Sequence, residues 1–153
     1  MRLRSAVAWA ACGLLLAGCV TGAPRNTAGQ VTESASVDPF QVSVGDCTGP
    51  MTEGDVDSLQ VLPCEQAHYY EAYASTALEG TDFPGDNEVR KQADSYCAAQ
   101  FKSFVGLATK NSSYEMYYMY PVEDSWTIGD REVLCLAGSS KGGIEGSLKG
   151  AKK

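Results

Sequence analysis

Asp86-Asn-Glu-Val-Arg-Lys-Gln-Ala-Asp-Ser-Tyr-Cys-Ala-Ala-Gln-Phe-Lys-Ser-Phe-Val105 is the stretch whose reading decides the fold. Val89, Ala93, Cys97, Phe101 and Phe104 recur at spacings of 4, 4, 4 and 3, with Tyr96 beside them. That spacing predicts one amphipathic helix with an apolar stripe along one side. Pro84-Gly85 breaks the preceding segment, Asp86 is placed to cap the orphan amides, and Gly106 can close the C-terminus.

Working outward, the flanking segments read as strands. Phe40, Val42 and Val44 alternate with Gln41 and Ser43 and lead into the turn Gly45-Asp46. Leu59-Gln-Val-Leu62 runs to Pro63-Cys64, and His68 to Leu78 alternates as one long strand. Tyr114-Glu-Met-Tyr-Tyr-Met-Tyr120 is an aromatic strand stopped by Pro121, and Arg131 to Ala137 is the last strand. Trp126, within Glu123 to Asp130, is expected to pack a short helical turn onto the domain. The expected fold is therefore α+β, a small, mainly antiparallel sheet with one long helix packed on it.

The ends of the chain carry different signals. Met1-Arg-Leu-Arg4 is basic, and Ser5 to Gly18 is an uncharged run of 14 residues, which together read as a secretory leader. The run is shorter than the roughly 20 residues a membrane-spanning helix needs. Leu16-Ala-Gly-Cys19 looks like a lipobox, which makes Cys19 the expected lipid acceptor. Val20 to Asp38 is rich in Thr, Gly, Ala and Ser, and reads as a flexible tether with an rms reach of roughly 25 Å. The expected organisation is a lipoprotein leader over 1–18, lipidated Cys19 and tether over 19–39, a globular domain over 40–150 and a tail over 151–153. The corresponding location is the cell membrane, lipid-anchored on its extracytoplasmic face.

The precursor's 12 basic and 19 acidic side chains give −7. Loss of Arg2 and Arg4 with the leader leaves 10 of those 12 bases and a balance of −9. No Lys/Arg cluster exists to release counterions from phosphates, so nucleic acid is excluded as a partner. An anionic surface is repelled as well, and attachment to the membrane falls to the lipid on Cys19.

With Cys12 in the leader and Cys19 lipidated, Cys47, Cys64, Cys97 and Cys135 remain, which reads as two disulfides in an exported chain. Four cysteines allow three pairings. The favoured one is Cys47 with Cys64, closing a Gly/Asp/Ser-rich loop, and Cys97 with Cys135, tying helix to last strand; each bridge is worth about 3–4 kcal/mol in the chain-entropy view. Cys64-Glu-Gln-Ala-His68 has a zinc-like spacing, but neither a second His nor a C-x-x-C pair completes a site, and no metal or other cofactor is implied.

Candidate sites divide between chemistry and packing. His68 is the sole imidazole; a catalytic role would need Asp46, Asp130 or an unidentified Ser, since Glu71, three residues on, points to the opposite strand face. The simpler reading is a hydrogen-bonding residue beside the Cys64 bridge. Glu53-Gly-Asp-Val-Asp57 resembles the start of a calcium loop, but Ser58 and Cys64 stand where an EF-hand needs Gly and an acid, so a solvated acidic loop is preferred. The eight tyrosines outnumber the four phenylalanines. Tyr117 and Tyr118 are candidates for an exposed aromatic platform, against a strand buried on both faces. His68 and Trp126 complete the candidate binding residues.

Together, Val44-Gly-Asp-Cys47, Val61-Leu-Pro-Cys64-x-x-x-His68-x-x-Glu71, the helix bearing Cys97, Asp124-Ser-Trp126-x-x-Gly-Asp-Arg131, Val133-Leu-Cys135 and Gly146-Ser-Leu-Lys-Gly150 resemble the septum formation domain of actinobacterial envelope proteins. The resemblance covers about residues 42 to 150. It implies a lipoprotein or membrane-anchored protein with a four-cysteine frame, in keeping with the favoured pairing. It implies a link to cell division, and it transfers no catalytic residue or ligand.

The expected function is then a non-catalytic, lipid-anchored extracytoplasmic domain that binds a protein or a cell-wall component such as peptidoglycan, linked to septum formation or envelope maintenance. The alternative is a small envelope hydrolase using His68 with acidic partners. Metal binding through the acidic loop is a third reading.

Overall fold

The structure, a computed structural model, describes residues 22–52, 54 and 56–153. The leader, the lipobox and Cys19 lie outside the described residues. Among the described residues, no helix is long and apolar enough to cross a membrane.

Six strands form one antiparallel sheet: β1 (Ala35–Val37), β2 (Cys47–Thr48), β3 (Leu59–Leu62), β4 (Tyr70–Ala77), β5 (Glu115–Met119) and β6 (Glu132–Gly138), in the order β1-β3-β2-β4-β6-β5. The long helix α1 (Asp86–Val105) packs against β4, β5 and β6, and a short helix α2 (Glu123–Thr127) precedes β6. The α+β layer expected from the sequence is the architecture found, with both favoured disulfides in place. Cys47 and Cys64 have Cα atoms 5.2 Å apart, and Cys97 and Cys135 5.4 Å.

α1 follows the sequence spacing, with one refinement. Val89, Ala93, Cys97, Phe101 and Val105 are fully buried at strict intervals of four, while Phe104 is partly buried and stacks on Tyr73 at 5.4 Å. Gly106 closes the helix in the left-handed conformation, its N–H donating to Lys102 O. At the other end Gly85, not Asp86, occupies the cap. Its carbonyl accepts from Glu88 and Val89 N–H, and Asp86 instead sits in the first turn, where its charge suits the helix dipole.

The continuous apolar run of β6 has a physical reason, for the strand is covered on both faces. Val133, Cys135 and Ala137 face α1 with Tyr73, Ile144 and Leu148. Leu134 and Leu136 face a second core with Tyr70, Ala72, Leu59 and Val61. An irregularity between Ala72 and Ala74 of β4 turns both Tyr73 and Ala74 toward the helix side. Tyr73 Oη donates to Cys97 O at 2.7 Å, joining strand to helix beside the second disulfide.

The second core corrects the domain boundary. Its outer layer comes from the stretch read as a flexible tether: Ala23, Val31 and Val37 are buried, β1 pairs with β3, and Arg25 bridges to Val31 across a turn. The folded domain therefore takes in residues 22–39, ahead of the expected start at 40. The stretch is low in apolar residues yet folded, because few side chains are needed where each covers an existing sheet.

Phe40 to Val44 is not a strand. Asp38 Oδ1 accepts from Phe40 N–H and Pro39 opens a single 3-10 turn, so Val42 turns inward while Phe40 and Val44 are 60 % and 52 % exposed. The expected tail is also bound: Gly150 N–H donates to Phe104 O and Lys152 N–H to Val105 O, laying the C-terminus along the end of α1.

Candidate functional site

Where the motif residues converge, β2 and β4 set Cys47 opposite Glu71, and Pro63-Cys64 carries the disulfide partner out of β3. Glu71 is 4 % exposed, and both of its oxygens are taken: Oε1 accepts from Ser147 Oγ at 2.7 Å, and Oε2 from Leu148 N at 2.6 Å. Gly146 N–H donates to Cys64 O at 2.7 Å, and His68 and Ile144 exchange both backbone hydrogen bonds. The late segment 144–148 is thus clasped over the first disulfide by a buried carboxylate. Beside it lies an open cleft of about 310 Å³ whose lining includes Cys64, Glu65, Glu71, Ser147, Val44 and Gly29.

His68 is fully buried. Its Nδ1 lies 2.9 Å from Gln66 O, so Nδ1 carries a hydrogen and donates, and Nε2 meets no hydrogen-bond partner among the described residues. Neither acid proposed for it approaches. Asp46 is held by Arg25, and Asp130 accepts from Ser125 Oγ and Glu132 N–H. Ser147 meets Glu71 directly, with no imidazole between them. The arrangement is a structural clasp rather than a nucleophile–base–acid relay.

The sulfurs of Cys47 and Cys64 and a Glu71 oxygen lie within 4.8 Å of one another. The sulfurs are bonded to each other and offer no thiolate, and a single engaged carboxylate does not hold a metal ion. Glu53 and Asp55 of the acidic loop lie outside the described residues.

The structure does not bring the candidate binding residues together. Tyr117 packs into the second core, 4.8 Å edge-on from Tyr70, while Tyr118 lies on the helix face near Tyr120. Both are half-buried and point to opposite sides of β5, as adjacent strand residues must, so they do not form one platform. Burial raises the Tyr70 hydroxyl pKa, with neighbouring Tyr117 adding to the effect. Trp126 is 3 % exposed; its Nε1 donates to Thr81 O, and the Arg131 guanidinium lies 3.7 Å over its ring. Arg131 also donates to Gly80 O and Trp126 O, locking the loop after β4 onto α2.

Arg25 was missed. Its two Nη atoms meet the two Asp46 oxygens at 2.6 and 2.7 Å, and Asp46, 2 % exposed, also accepts from Ser43 N–H. A signal was available: Arg25 is the only Lys or Arg between Arg4 and Arg90, in a half of the chain crowded with acids. Ser147 was missed as a partner for Glu71 because 76 residues separate them, although both lie in quoted motifs.

Fold and site define a small, disulfide-braced α+β domain, clasped at both of its ends. The chain belongs to the Septum formation family, which it matches over residues 4–135, and this links it to cell division and the envelope. The matched range takes in residues 22–39, folded here, and ends at Cys135, before the clasp segment. Comparison with curated proteins and with solved structures finds no significant match.

Proposed function

We propose that this protein is a lipid-anchored, extracytoplasmic, non-catalytic domain that binds a protein or cell-wall partner during septum formation. The observation that carries the reading is the use of cysteine: all four within the domain are consumed in two disulfides, which suits an oxidising compartment. Leu16-Ala-Gly-Cys19 after a basic and then apolar leader supports export with lipid attachment. Family membership supports the link to division. The site supports binding rather than turnover, since its buried polar groups are spent on holding the C-terminal segment in place.

The test combines fractionation with imaging. Wild-type protein is expected in the membrane fraction and enriched at the division site, and Cys19→Ala is expected in the soluble extracytoplasmic fraction. Equal membrane retention of both proteins overturns the anchor. Uniform distribution around dividing cells overturns the septal role.

A further inference from the structure

The described residues expose four large hydrophobic side chains, and they fall at two ends of the molecule. Val122 and Ile128 flank α2, beside the latch on Gly80 and Thr81 beyond the end of β4. Phe40 and Val44 lie toward the opposite end, where Gly45 N–H donates to Ala72 O near the start of β4. This second pair is held rigidly. Asp38 caps the turn that carries Phe40, Val42 is buried between the two, and Ser43 N–H is fixed on Asp46.

Two further facts single out the Phe40 end. The chain enters the domain there: a methyl group placed on Gly22 would lie 3.9 Å from the Gln41 side chain, and Arg25 donates to Gln41 O. Charge is also sparse around it. Residues 19–32 and 39–46 hold one cation and one anion, Arg25 and Asp46, which neutralise each other; Asp38, which caps the turn, and Glu65, which shares a cleft with Val44, are the acids beside the face.

We infer that the Phe40/Val44 face rests on the lipid bilayer, with Phe40 in the headgroup region, and so fixes the orientation of the domain on the membrane. The inference rests on the lipid-anchor reading of Cys19. Gly22 lies three chain steps from Cys19, which covalent geometry limits to about 11 Å. A lipid on Cys19 therefore holds this end, and no other, against the headgroups. An aromatic and a branched apolar side chain suit that layer, whereas the acidic surface elsewhere is repelled from anionic lipid. The α2 end then points away from the membrane.

Emission from Phe40→Trp tests the proposal in the full, lipidated chain, reconstituted in phosphatidylethanolamine/phosphatidylglycerol vesicles with and without brominated acyl chains. Ile128→Trp is the control at the far end, and buried Trp126 supplies a constant background. The expected result is a blue shift and bromine-dependent loss of emission for Phe40→Trp and neither change for Ile128→Trp. Equal quenching of the two, or none in protein whose mass confirms the acyl chains, overturns the orientation and leaves the anchor standing. An unmodified Cys19 mass overturns both. A blue shift in unlipidated Cys19→Ser protein that grows with protein concentration assigns the face to a second copy, and also overturns the proposal.

Discussion

At the scale of single residues, this domain places charge where its partner is fixed. Arg25 is partly exposed but Asp46 is not, so removing the cation leaves a buried carboxylate with only Ser43 N–H to compensate it. Arg25→Ala is expected to cost about 3 kcal/mol, the range for stripping one partner from a buried pair, read as a lower urea midpoint. Arg25→Lys should fall between, because an ammonium cannot reproduce the two parallel hydrogen bonds. Glu115 gives a pH-dependent case. Its carboxylate accepts from Ser140 N–H, chiefly, and also from Ser140 Oγ and Tyr117 Oη, and its pKa is lowered from 4.5. A carboxyl whose folded pKa lies below its unfolded value stabilises the fold above the unfolded value, and that contribution disappears as pH falls through the folded one. Wild-type stability should therefore decline below about pH 4.5 more steeply than that of Glu115→Gln, in urea titrations across the acid range. Equal slopes would show that the Ser140 contact adds nothing.

At the scale of elements, legibility followed the range of the interactions. α1 is written in its own sequence, since a stripe at intervals of four is local, and β3, β4, β5 and β6 fall where their own short apolar and aromatic runs place them. The candidate site was harder to see. Glu71 and Ser147 are each ordinary, and their meeting depends on the C-terminal segment returning to the sheet. Phe40 to Val44 misled because alternation is equally compatible with a capped turn, and Asp38-Pro39 decided the matter. Gly138 marks a second place where one element constrains another. At the end of β6, a Cβ would run into Tyr69 O and lie 2.7 Å from Tyr70 Cα, so β6 can approach the start of β4 only because position 138 has no side chain. Gly138→Ala should lower stability by about 3 kcal/mol, at the upper end of overpacking costs, since the obstacle is backbone that cannot rotate away. Thermal unfolding followed by circular dichroism checks this, and an unchanged midpoint would show that the two strands can separate without loss.

At the scale of the whole molecule, the sheet is a shared wall between two cores, and each core is closed by one end of the chain. The helix face is finished by Ile144 and Leu148, the opposite face by Ala23, Val31 and Val37. A segment read as a tether is therefore a structural layer, and the two readings differ in what a truncation does. If residues 22–39 were a tether, a fragment spanning 40–153 would be as stable as one spanning 22–153. In the fold described here, the shorter fragment loses β1 from the edge of β3, leaves Asp46 without Arg25, and uncovers apolar surface that includes Val61 and Leu136. Two valines buried nearly completely are worth about 1.5–3 kcal/mol each, and the stranded carboxylate about 3 more. That sum is comparable with the whole stability of a domain this size, about 5–15 kcal/mol. The 40–153 fragment should consequently be unfolded, or melt far below the 22–153 fragment, with both disulfides oxidised in each and confirmed by mass. Chemical denaturation of the two fragments side by side makes the comparison, and coincident midpoints would return residues 22–39 to the role of a linker.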